Sequence, residues 1–78
     1  MPDISNGQHW RHVKRGGVYE IVSTDASIQV SSLDDGELEA MLEGAAWVVY
    51  RPVNGHALYF RMREEFLDGR FVFVKEAD

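Results

Sequence analysis

Arg11, His12, Lys14 and Arg15 crowd into five residues directly before Gly16-Gly17. Arg11, His12 and Lys14 of this cluster have the chemistry of anion recognition, together with Arg51, Arg61 and Arg63 further along. Asn54-Gly55 lies between Arg51 and Arg61 and has the residue types of a hairpin turn, so the two arginines fall on opposite arms and can approach across the ladder. Two arginines brought together repel unless an anion lies between them. Glu20, Glu64 or Glu65 would supply it as a structural ion pair; the alternative is a ligand anion. Arg11, His12, Arg51 and Arg61 are therefore the ligand-binding candidates. Trp10, Tyr19, Trp47, Tyr50 and Tyr59 serve first as core and core-edge rings, with one or two able to stack beside the arginines.

Other chemistries find little support. With no cysteine there is no disulfide, thiolate metal site or Cys nucleophile. His9 and His12 would share a helix face but oppose each other on a strand, and no carboxylate at a recognisable spacing completes a metal set. They read as hydrogen-bonding loop histidines, and neither a metal nor a cofactor is expected. The serines lie outside any nucleophile-elbow pattern, and no phosphate-cradling Gly-rich loop occurs. Asp34-Asp35 and Glu64-Glu65 are adjacent acids, which suit helix starts better than acid/base work. The expectation is a non-enzymatic protein.

Seventy-eight residues make one domain near the lower size limit for folding without a staple. A core of this size supplies only about 3–5 kcal/mol of net stability, so homodimerisation would help. The net charge is −5 and unevenly placed. Residues 16–45 carry no Lys or Arg but include Glu20, Asp25, Asp34, Asp35, Glu37, Glu39 and Glu43. Glu37, Glu39 and Glu43 are the protein-docking candidates. A protein partner is expected, with a small anion as the alternative; an acidic chain is a poor general nucleic-acid binder. No apolar run is long enough to span a bilayer and Met1-Pro2-Asp3 does not open a signal peptide, so the chain reads as cytoplasmic.

The elements that must position these residues follow from pattern. Residues 1–8 are polar and aperiodic, a flexible tail ahead of a single domain over 9–78. Val18 to Ser23 is β-branched and aromatic enough for a strand, Thr24-Asp25-Ala26 reads as a turn, and Ser27 to Ser32 alternates as a second strand. Leu38, Met41 and Leu42 recur at helical spacing between Asp34 and Gly44, which predicts one short inserted helix. Ala46 to Arg51 is the strongest strand and Ala57 to Arg63 its hairpin partner. Glu64 to Asp68 reads as one helical turn ended by Gly69, and Phe71 to Lys75 as the last strand. The fold class is mainly β (α+β): a small, strongly bent antiparallel sheet or an SH3-like barrel.

The run Trp10-Arg11-His12-Val13-Lys14-Arg15-Gly16-Gly17-Val18-Tyr19-Glu20-Ile21, followed by Val48-Val49-Tyr50-Arg51, resembles domain-of-unknown-function family 1653. Tyr59-Phe60-Arg61, Glu65-Phe66 and Gly69-Arg70-Phe71 are similar to the family's closing segments, so the likeness covers roughly residues 10–74. Arg15 widens the family's Lys-Gly step, Tyr59 stands where tryptophan is usual, Met62 where proline is usual, and Asp34 to Gly44 reads as an insertion. The resemblance implies a small β-rich domain of SH3-like size, often phage- or prophage-borne, and no activity. A binding module that modulates a host or phage protein is the first functional expectation. The alternative is a small-anion, nucleotide or single-stranded nucleic-acid binder using the Arg/aromatic face.

Overall fold

The computed structural model describes residues 3–28, 36, 42–43 and 46–78. Five strands form one antiparallel sheet: β1 (His9–His12), β2 (Val18–Ala26), β3 (Trp47–Pro52), β4 (Tyr59–Met62) and β5 (Phe71–Lys75). Their order is β4-β3-β2-β1-β5. β3 buries Trp47, Val48 and Tyr50 on its two faces, as a strand covered on both sides does. Between β4 and β5 the short helix α1 (Arg63–Phe66) carries the chain from one sheet edge towards the other and buries Phe66. Gly69, at φ +108°, ends that passage as the pattern of residues 64–69 predicts.

The sheet is strongly bent. β3 and β5 stand three strand spacings apart, about 14 Å if flat, yet the rings of Tyr50 and Phe71 meet with centroids 5.4 Å apart. Register shifts in the β2–β3 and β1–β5 ladders add local twist. β4 and β5 stand at opposite ends of that order and do not pair, so among the described residues the sheet does not close into a barrel. Its concave side holds an aromatic-rich core of Ile4, Trp10, Ile21, Val48, Tyr50, Phe66 and Phe71.

Several sequence expectations are corrected. His9–His12 is a strand rather than a loop, because Trp10 alone anchors it inward while its neighbours are less buried. Thr24-Asp25-Ala26 continues β2 instead of turning, with Ala26 opposite Trp47 past a register shift. Ser27 and Ile28 follow the end of β2, and the rest of the expected 27–32 strand lies outside the described residues. So does most of the 34–44 helix, Leu38 and Met41 included. Leu42 and Glu43 have helical backbone, and the Leu42 carbonyl accepts the Trp47 indole N–H at 2.7 Å.

Residues 3–8 are not a tail. Ile4 joins the core, and Gln8 is only 1% exposed. The Gln8 Oε1 accepts from the Ser5 amide at 2.9 Å and the Trp10 indole at 3.0 Å. Its Nε2 donates to the Asp3 carbonyl at 2.9 Å and to Glu76 at 3.2 Å. Gly7, at φ +87°, donates its amide to Ile21 and passes so near Ala77 that a Cβ would lie 2.7 Å from that residue's own. Among the described residues, no helix is long and apolar enough to cross a membrane.

Candidate functional site

Alternation along the strands decides which side chains share the concave face. The registers Trp10↔Tyr19, Ile21↔Tyr50, Tyr50↔Tyr59, Val48↔Arg61 and His12↔Phe71 put Tyr19, Tyr50, Tyr59, Arg61, His12 and Phe71 on one side. The turn between β1 and β2 folds Lys14 and Arg15 over the same side. It is fastened by the His12 amide to the Gly17 carbonyl at 2.8 Å and the Gly16 amide to the His12 carbonyl at 2.7 Å. Gly16 takes φ +80°, a left-handed conformation that glycine adopts without steric cost. These eight residues line a cavity of about 300 Å³.

Half of that wall is aromatic. The Tyr19 ring meets Tyr50 edge-on at 5.3 Å and Phe71 at 5.9 Å. Tyr59 leans on Tyr50 at 5.8 Å with only 31° between the planes. The other half is basic. Arg61 lies 5.8 Å above the Phe71 ring, donates from Nε to the Tyr50 hydroxyl at 3.4 Å, and stands 3.6 Å from Glu65. Lys14 and Arg15 are exposed and have no carboxylate partner among the described residues. Among the described residues, no acid lines the cavity.

His12 registers this environment. Its Nδ1 accepts the Arg15 amide at 3.1 Å and its ring meets Phe71 edge-on at 4.9 Å. Desolvation first, then the positive charges of Arg15, Arg61, Lys14 and Arg70, hold its pKa below the ordinary value of 6.5. A neutral ring with its proton on Nε2 satisfies the Arg15 contact. A second, shallower depression continues past His12 and Lys14 towards Asp68, Gly69 and Arg70.

Of the four ligand-binding candidates, His12 and Arg61 line the cavity and Arg11 and Arg51 do not. Arg11 alternates between Trp10 and His12 and so faces outward. Arg51 lies on the convex face, where its Nη2 and Nε reach Glu20 Oε1 at 2.7 and 3.1 Å. His9 approaches the same carboxylate at 3.8 Å. Arg51 and Arg61 therefore do not face one another: each has its own carboxylate, Glu20 and Glu65, in place of a shared anion. Glu37 and Glu39 lie outside the described residues, and Glu43 is exposed. Among the described residues, no three His, Asp or Glu side chains gather as metal ligands would.

Lys14, Arg15 and Phe71 complete the site beyond the sequence candidates. The Arg-His-Lys-Arg run was the available signal for the first two; Phe71 gave none, because its place depends on which strand β5 joins. Compared with protein-family models, curated proteins and solved structures, the chain matches none of them. The likeness to family 1653 thus rests on the short blocks quoted above.

Proposed function

We propose that this protein is a binding module that holds a small anion in the concave pocket without transforming it. One observation carries the reading: in a chain of net charge −5, the described residues that line this cavity include Lys14, Arg15, Arg61 and His12 and no carboxylate. Concentrating one sign of charge against low-dielectric rings raises the attraction for the opposite sign. Arg61 is oriented by Tyr50 and Phe71 before any ligand arrives, which lowers the ordering cost of binding.

Thermal unfolding with inorganic phosphate or pyrophosphate tests the reading. A ligand at a hundred times its Kd adds about 2.7 kcal/mol of stability. The shift should shrink in high salt and in Arg15→Ala, and persist in Arg51→Ala, whose side chain lies on the opposite face. Phosphate and pyrophosphate that leave the melting temperature of the parent chain unmoved at low salt would remove the proposal.

A further inference from the structure

We infer that the anion is a mononucleotide, its phosphate met by Lys14 and Arg15 and its base laid against Tyr59. This rests on the anion-binding reading and narrows it.

The basic and aromatic parts of the wall are segregated. Lys14 and Arg15 belong to the β1–β2 turn, whereas Tyr19, Tyr50 and Tyr59 stand on neighbouring strands of the sheet. Inorganic phosphate would use the cations and leave the exposed Tyr59 ring without a binding role. Arg61 is already partly neutralised by Glu65, so among the described residues the cavity charge without a carboxylate partner is that of Lys14 and Arg15, and a phosphate would meet it there.

Tyr59 supplies the ring surface. It remains 46% exposed although it leans on buried Tyr50 at a small interplanar angle. It also meets Tyr19 edge-on at 6.2 Å, and the exposed part of its ring is what a base would cover, since tilted or offset stacking is favourable at such spacings. Stacking is indifferent to which base is offered, because every base has a π-face.

Size and charge favour a single nucleotide over a strand. A cavity of about 300 Å³ lies at the small end of the ligand-pocket range. A polymer running out of it would meet an acidic chain, with 13 Asp and Glu against 8 Lys and Arg.

Calorimetric titration of the full chain with inorganic phosphate, ribose phosphate, AMP, TMP and an oligothymidylate tests the inference. AMP and TMP should bind about tenfold or more tighter than ribose phosphate. Tyr59→Leu should abolish that difference while keeping phosphate binding, and Arg15→Ala should weaken every probe. Nuclear magnetic resonance of the unaltered chain reads the same contact without a variant: TMP should shift the Tyr59 ring signals and ribose phosphate should not. Nucleotides no tighter than ribose phosphate would overturn the inference and leave anion binding standing. Failure of every phosphate compound to bind would remove both. An oligothymidylate far tighter than TMP would overturn the mononucleotide in favour of a strand.

Discussion

At the scale of single residues, His12 couples the pocket to pH. The folded chain disfavours its imidazolium, whereas the unfolded chain protonates it near the ordinary 6.5. The unfolded state therefore binds more protons between the two values. The stability this neutral ring contributes is whole above about pH 6.5 and is lost as pH falls through the lower folded value. Urea midpoints should decline across that window, and His12→Asn should flatten the decline. A bound anion reverses the local field, so on acidification the phosphate affinity of the parent chain should rise relative to that of His12→Asn, in which only the ligand's own protonation acts. Gln8 is the opposite kind of residue, with no titration and a structural task. Gln8→Leu leaves the Trp10 indole N–H buried without its acceptor, and should cost about 1–3 kcal/mol in urea unfolding. Nothing local announces Gln8, since its Glu76 partner is 68 positions away in sequence and its neighbours read as a tail.

At the scale of elements, the β1–β2 turn decides whether the cations reach the rings. Gly16 stands at φ +80°, and a methyl group there meets no neighbour among the described residues, so the penalty is one of backbone conformation. Gly16→Ala should cost about 1–2 kcal/mol. It should also weaken phosphate binding more than its stability loss alone explains, because Lys14 and Arg15 move with the turn. β3, β5 and the helical turn before Gly69 are legible from pattern, since burial on both faces, alternation and a terminal glycine are local signals. The opposite facing of Arg51 and Arg61 is legible too. Counting outward from Asn54-Gly55 gives the observed Tyr50↔Tyr59 and Val48↔Arg61 pairs, and strict alternation then separates the two arginines. Neighbouring arms of a hairpin bring two side chains together only where alternation also puts them on one face. The turn itself is not the left-handed type the residues suggest: Gly55 lacks a positive φ, and its amide donates to the Pro52 carbonyl at 3.1 Å.

At the scale of the whole molecule, bend and pocket have one origin. Phe66 is fully buried, stacks on Phe71 at 4.2 Å and meets Trp10 and Tyr50 edge-on. It thereby draws the β5 end of the sheet towards β3. Phe66→Ala should cost about 3–5 kcal/mol, as much as the net stability of a domain this small, and circular dichroism should report an unfolded chain. Phe66→Leu should fold with a lower urea midpoint. Strand patterns leave bent sheet and closed barrel equally open, because none of them says whether the last strand joins β4 or β1. That choice also places Phe71 in the pocket. The Gln8 clasp has a different consequence. Gly7 lies against Ala77, so the path of the backbone is nearly a ring. Where a chain starts and stops on a near-ring is a matter of connectivity rather than of packing. A circular permutant joined across Ala77 and Asp3 by a short flexible linker, and opened between Asn54 and Gly55, should fold to the same sheet. Its urea m-value should match the parent's, since the surface exposed on unfolding is unchanged.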